Sequence, residues 1–214
     1  MITIWPSILA ADCLNINQEL KTLTKSGIER IHLDIMDNHY VPNLSFGPDL
    51  CEAIHQTFPQ IEIDVHLMTD DPQHLISRFA AAGASRISIH KDACIHLHQT
   101  LASIKNLGLK AGLAINPAED LPELQWCESV LDYVLLMSVN PGFGGQKFIP
   151  SSLEKIRRIH QQYQHLPIMV DGGVDLSNLQ ALKKQGASDV VIGSALFKAQ
   201  DYPANIRQFQ HLAV

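Results

Sequence analysis

The chain has 214 residues, 46% of them hydrophobic, and a net charge of −6. That suits one globular domain over residues 1–214 with a full core, and α/β barrels reach this size as single domains. The acidic balance and the lack of a long basic run argue against broad binding to nucleic acid or an anionic membrane. Met1–Trp5 has no basic n-region and reaches Pro6 too soon for a signal peptide, and no apolar run is long enough to cross a bilayer. Cys13, Cys51, Cys94 and Cys127 are widely spaced with no C-x-x-C. They read as buried thiols of a reducing compartment. The expectation is a soluble cytoplasmic protein.

In chain order, Ile2–Pro6 reads as a strand and Asn15–Ser26 as a helix capped by Gly27. Arg30–Asp34 is a strand of period two, which puts His32, Asp34 and Met36 on one face. A loop with Pro42 and Pro48 leads to a helix at Asp49–Phe58. Ile61–His66 is the third strand; its extension places Asp64, His66 and Met68 on a shared face. Pro72 opens a helix that reaches Ala82 and stops at Gly83. Arg86–His90 is a strand, Ile95–Leu107 a helix ended by Gly108, and Lys110–Ile115 a strand running into Asn116-Pro117. A short helix is expected at Leu121–Cys127 and a strand at Tyr133–Val139. Ser151–Gln164 reads as a helix, Pro167–Asp171 as a strand, Leu176–Gln185 as a helix stopped by Gly186, and Val190–Gly193 as the last strand. Helical material follows to the C-terminus.

About eight strands alternating with about eight helices imply a parallel sheet. In so short a chain this favours a closed (β/α)8 TIM barrel over a doubly wound open sheet. Ser7, His32, Asp34, His66, His90, Asn116, Asn140, Asp171 and Ser194 all fall toward the C-terminal ends of their strands. Barrels of this kind carry their chemistry on that face.

A buried carboxylate needs a partner or a metal. His32, Asp34, His66 and Asp171 form a two-histidine, two-carboxylate set suited to one divalent metal ion, Zn, Fe, Mn or Co. The plainer alternative is four separately hydrogen-bonded residues at the barrel rim. Asp171-Gly172-Gly173 and Gly193-Ser194 follow the seventh and eighth strands, where barrels often hold a phosphate on backbone N–H groups and a helix start. Ordinary tight turns are the alternative. Asn140 to Phe148 carries three glycines and reads as a lid that excludes water, against a plain surface loop. Met36, Met68 and Met137 sit near strand tops, as core filling or as the apolar wall of a site.

Taken together, Pro6-Ser7-Ile8-Leu9-Ala10-Ala11-Asp12, His32-Leu33-Asp34-Ile35-Met36-Asp37, Val41-Pro42-Asn43, Asp64-Val65-His66-Leu67-Met68, Val139 to Gln146, Val170-Asp171-Gly172-Gly173 and Gly193-Ser194-Ala195 resemble the ribulose-phosphate 3-epimerase family nearly end to end. The resemblance implies a ribulose-phosphate-binding barrel with a divalent metal. It implies interconversion of D-ribulose 5-phosphate and D-xylulose 5-phosphate in the pentose phosphate pathway, and self-association into a homo-oligomer. His32, Asp34, His66 and Asp171 match the family's metal ligands, and Asp34 and Asp171 its acid/base pair. Ser7, His66, Gly142, Phe143, Gly144, Gly145, Asp171, Gly172, Gly173, Gly193 and Ser194 match its substrate and phosphate contacts. The chain departs from the family pattern at Asn38 (usually Gly), Tyr40 (commonly Phe), His90-Lys91-Asp92 (for His-x-Glu) and Ala118-Glu119 (no threonine after Asn-Pro).

The implied chemistry is coherent. A C3 hydrogen beside a C2 ketone is acidic once the ketone is polarised, and inversion needs proton removal on one face and return on the other. Two carboxylates from opposite sides of a barrel meet that need. An epimerase of a related ketose phosphate, such as allulose 6-phosphate, is the nearest rival. A decarboxylase or aldolase-type lyase is more distant: related decarboxylases carry Asp-x-Lys on strand three, where this chain has Asp64-Val65-His66. A non-enzymatic sugar-phosphate binder would not need the two carboxylates.

Overall fold

A computed structural model describes residues 1–214. Its strands are β1 (Thr3–Pro6), β2 (Arg30–Met36), β3 (Glu62–Met68), β4 (Arg86–His90), β5 (Lys110–Ile115), β6 (Tyr133–Met137), β7 (Ile168–Asp171) and β8 (Asp189–Ile192). They form one sheet in the order β1-β8-β7-β6-β5-β4-β3-β2. All neighbours are parallel. The two edges meet where Ser7 pairs with His32 in a parallel bridge. The sheet thus closes into the expected (β/α)8 barrel.

Around it lie α1 (Ile16–Lys25), α2 (Pro48–Thr57), α3 (Gln73–Ala81), α4 (Leu97–Asn106), α5 (Ser152–Gln162), α6 (Leu179–Gln185), α7 (Ser194–Phe197) and α8 (Tyr202–Ala213). The period-two strands divide their side chains between two cores. Ile31, Leu33 and Ile35 of β2 and Ile63, Val65 and Leu67 of β3 point outward, joining Leu20 and Leu23 of α1, Ile54 of α2 and Phe79 of α3 in the main apolar cluster. Each such side chain contributes roughly 1.5–3 kcal/mol by leaving water. The inward residues pack separately: Trp5, Ala114, Tyr133, Leu135, Met137, Met169 and Val191 form a second cluster. His32, Asp34, Asp64, His66, Arg86, Ser88 and His90 add buried polar groups on β2, β3 and β4. So one side of the barrel lumen is apolar and the other is ionic.

The glycines read as helix stops, Gly27, Gly83, Gly108 and Gly186, all have positive φ, between 77° and 106°. That left-handed conformation ends a helix without the steric cost a Cβ would bring.

Three expectations need correction. Leu121–Cys127 is not a helix; two single 3-10 turns, Leu124–Trp126 and Glu128–Val130, fill the connection. Pro122 offers no N–H and disfavours helical geometry at Leu121. The strands β2 and β3 run on to Met36 and Met68, while β6 stops at Met137, short of Val139. His32 therefore lies mid-strand, inside the lumen, rather than at a strand end. Finally, only Cys51 and Cys127 are buried; Cys94 is half-buried and Cys13 exposed. Cys13 falls in the turn closed by the Asn15 N–H on the Asp12 carbonyl, where nothing packs over it.

Candidate active site

Parallel register sets the site. In the β2–β3 ladder His32 lies beside Asp64, Asp34 beside His66, and Met36 beside Met68. All six share the inward face, so adjacent strands present alternating imidazole and carboxylate. Asp171 arrives from the far side of the barrel, as the last residue of β7.

Asp34 Oδ1 lies 3.3 Å from His32 Nε2 and 3.5 Å from His66 Nδ1. Asp171 Oδ2 lies 3.5 Å from each of the same two nitrogens. One atom from each of the four residues falls within 4.8 Å of all the others. Three of these atoms, His32 Nε2, His66 Nδ1 and Asp171 Oδ2, are buried and have no hydrogen-bond partner. Orphaned buried polar atoms are rare and costly. Here they point at one another, and two nitrogen and two carboxylate donors suit a divalent cation. This group could hold a metal ion.

The electrostatics agree. Burial disfavours charge on His32, but the carboxylates of Asp34, Asp171 and Asp64 outweigh it and hold its pKa well above the ordinary value. His66 is shifted upward in the same way by Asp171 and Asp34 against its burial. Burial alone would raise Asp34; the two imidazoles instead hold it far below the usual carboxylate range. The pocket calls for positive charge between its two acids.

The surrounding contacts are asymmetric. Ser7 Oγ donates to Asp34 Oδ2 at 2.6 Å, leaving Oδ1 for the histidines. His66 Nε2 lies 2.8 Å from His90 Nε2. Burial and the neighbouring His66 push His90 well below the ordinary imidazole pKa. His90 in turn packs against the ring of Tyr40, with centroids 4.8 Å apart.

A cleft opens above the two acids. Asp34 and Asp171 line it with Ser7, Met36, Met68, Met137, Gly142, Phe143, Gly144, Gly145, Gly172, Gly173, Gly193 and Ser194. Every residue expected at the site is brought there, except that His32 and His66 stand fully buried behind the carboxylates. Two of the glycines have a packing reason as well. A Cβ on Gly172 would come within 2.2 Å of Val139 Cγ2, and one on Gly173 within 2.5 Å of the Phe148 backbone nitrogen. They let the Asn140–Phe148 loop lie directly against the end of β7. That loop is also tied by side chains: Asn43 Nδ2 donates to the Gly142 carbonyl at 2.7 Å, and Gln146 Nε2 to those of Asn140 and Phe143.

The departures from the family pattern meet one another at the rim. Tyr40 donates its hydroxyl to Asp92 at 3.0 Å and accepts from Asn116 Nδ2 at 2.8 Å, and Asn116 also donates to Glu119. Asn38, standing where glycine is usual, has φ 61°. Asparagine is among the few residues that tolerate this conformation.

A closed parallel barrel with paired acids, a candidate cation site and glycine loops at the strand C-termini defines a (β/α)8-barrel enzyme. A model of the ribulose-phosphate 3-epimerase family matches residues 3–197. The ribulose-phosphate 3-epimerase of Buchnera aphidicola is 44% identical over 209 residues, covering 96% of this chain and 92% of that protein. Ribulose-phosphate 3-epimerase 1 of Cupriavidus necator is 46% identical, covering 94% and 86%, and the Escherichia coli K12 protein 43%, covering 92% and 89%. The chain belongs to the ribulose-phosphate 3-epimerase family. Solved structures share the fold at low identity. 3-Hexulose-6-phosphate synthase from Salmonella typhimurium gives a TM-score of 0.75 at 14% identity, covering 99% of this chain and 98% of that one. Thiamine phosphate pyrophosphorylase from Pyrococcus furiosus gives 0.65 at 16%, covering 99% and 95%. No helix is long and apolar enough to cross a membrane.

Sequence reasoning gave no role to Arg86 or Tyr133, and none to Asp64 beyond its face. The available signal was the period-two pattern Arg86-Ile87-Ser88-Ile89-His90, which puts the arginine on the same face as Ser88 and His90; all five residues are buried.

Proposed function

We propose that this chain interconverts D-ribulose 5-phosphate and D-xylulose 5-phosphate by inverting C3, as a single-domain, cytoplasmic, homo-oligomeric enzyme of carbohydrate metabolism. Its family membership supports the substrate and the self-association. The observation that carries the chemistry is the convergence of two orphaned imidazole nitrogens with two carboxylates from opposite barrel walls. His32, Asp34, His66 and Asp171 would hold one divalent ion, Zn, Fe, Mn or Co. Such an ion, when bound, supplies Lewis-acid polarisation of the substrate ketone.

The chain's residues do the rest. Asp34 on β2 and Asp171 on β7 face the cleft from two sides, so one takes the C3 proton and the other returns a proton to the opposite face; their roles exchange with direction. Ser7 fixes the Asp34 carboxyl through its 2.6 Å hydrogen bond. Gly172, Gly173, Gly193 and Ser194 line the cleft, and their backbone N–H groups would receive the phosphate, which would hold C3 between the acids. Met36, Met68 and Met137 line the cleft with apolar surface that keeps water from the carbanion.

The test is turnover of ribulose 5-phosphate by wild type, Asp34→Asn and Asp171→Asn, with and without chelation. Each variant is expected to lose roughly 10²–10⁴-fold in kcat, the usual worth of a positioned acid or base. Chelation should abolish activity and added divalent ion restore it. Near-normal turnover by either variant would refute the two-acid scheme. Metal binding without turnover of ribulose 5-phosphate would move the substrate to another ketose phosphate.

A further inference from the structure

Below the acid pair lies a second polar cluster, buried and outside the cleft. Asp64 on β3 is fully buried. Its Oδ2 lies 2.7 Å from His32 Nδ1. Its Oδ1 accepts from the Tyr133 hydroxyl at 2.7 Å and lies 3.2 Å from Arg86 Nε. The Arg86 guanidinium is held between two aromatic faces, its central carbon 4.4 Å from the Trp5 ring centroid and 3.9 Å from that of Tyr133. Room for the Tyr133 ring comes from Gly112, where a Cβ would meet ring carbons at 2.3 Å.

We propose that Asp64, fixed by Arg86 and Tyr133, is the positioning residue that sets the tautomer of His32 and turns its Nε2 lone pair toward Asp34 and Asp171. The inference rests on the metal reading of that site. A carboxylate can only accept hydrogen bonds, so the contact at Oδ2 requires the proton on Nδ1 of His32. A neutral imidazole has one N–H, so Nε2 is then left as a bare acceptor, the form a metal ligand needs. Oδ1 accepts a hydrogen bond from the Tyr133 hydroxyl and pairs with the charge of Arg86, which cannot be deprotonated. They therefore hold the carboxylate in one orientation as well as balancing its charge. The other ligand, His66, has only the neutral ring of His90 behind it. The two histidines are thus supported unequally, and His32 is the one whose geometry is prescribed.

This reading makes an unusual prediction for Asp64→Asn, which barely changes shape. Arg86 and Tyr133 still demand an acceptor at Oδ1, so the asparagine carbonyl oxygen takes that place and its NH2 turns to His32. A donor there requires Nδ1 to accept, which moves the proton to Nε2 and blocks the lone pair. Tyr133→Phe keeps the carboxylate and should keep the tautomer.

The experiment has two readouts on the metal-free protein. ¹⁵N chemical shifts of His32, recorded at a pH where the ring is neutral, give the tautomer. Calorimetric titration with Zn²⁺ gives affinity. Wild type and Tyr133→Phe should show the Nδ1–H form. Asp64→Asn, with native near-UV circular dichroism, should show the Nε2–H form and bind Zn²⁺ about 10–100-fold more weakly, the usual effect of losing such a support. An Nε2–H tautomer in the wild type overturns the inference without any variant. So does a folded Asp64→Asn that binds Zn²⁺ within about twofold of wild type. Failure of the wild type to bind Zn²⁺ would overturn the metal reading, and the tautomer would still decide the role of Asp64.

Discussion

Ser7 Oγ and Asp34 Oδ2 lie 2.6 Å apart across the seam that closes the barrel, one just past the end of β1 and one on β2. The seryl hydroxyl donates to a carboxylate, so the bond both aims Asp34 and stabilises its ionised form. Removing one hydrogen bond to a buried charged group costs about 1.5–3 kcal/mol. Ser7→Ala should therefore lower kcat on ribulose 5-phosphate by roughly 10–100-fold while Asp34 stays in place. Steady-state kinetics decide it; an unchanged kcat would show that the histidines alone orient the carboxyl.

Gly112 and Tyr133 make a steric pair on adjacent strands. A methyl group at Gly112 would overlap the Tyr133 ring, with ring carbons at 2.3–2.7 Å. The ring cannot retreat while its hydroxyl is held by Asp64. Gly112→Ala should destabilise the protein by about 1–3 kcal/mol, the range for overpacking a filled core. Urea unfolding should show a lower midpoint at unchanged slope. Replacing Tyr133 by leucine in the same chain should recover part of the loss.

Asp37 closes the loop after β2 by accepting three backbone N–H groups, from His39 at 2.8 Å and from Tyr40 and Asp70 at 2.9 Å each. Partial burial pushes this carboxyl upward, but the three N–H groups outweigh it and hold it below the usual range. Its folded pKa is below its unfolded one. The stabilisation is thus fully present above the unfolded value, about 3.9, and is lost as pH falls through the folded value. Asp37→Asn should be less stable than wild type near neutrality, with the gap narrowing below about pH 4. A gap that stays constant with pH would assign the loss to packing instead of charge.

Thiol reactivity should follow exposure. Burial pushes Cys94 up to about 11 and Cys51 up to about 12. The thiolate is the reactive form. Brief treatment of the folded protein with iodoacetamide, read by mass spectrometry, should modify the exposed Cys13 first and Cys51 last. Early labelling of Cys51 would mean that α2 opens readily from the barrel wall.

The sequence by itself determined the barrel and the grouping of His32, Asp34, His66 and Asp171, the two acids lining the cleft and the two histidines buried behind them. Period-two strands, helix-ending glycines and polar residues collected toward strand ends are local signals, and parallel pairing converts them into one face. His32 and Asp34 fall on the same side of β2 because alternate residues must. No helix forms at Leu121–Cys127 because Pro122 offers no N–H and disfavours helical geometry before it. Cys13 is exposed because burial depends on what packs above a turn, which no local pattern shows. Tertiary structure alone decided the layer beneath the site. Arg86, Tyr133 and Asp64 are separated by at least twenty residues in the chain, and nothing local tells an inward arginine from an outward one. Only closure of the barrel brings the guanidinium between Trp5 and Tyr133 and against Asp64. A charge can be buried there because its partners are already in place.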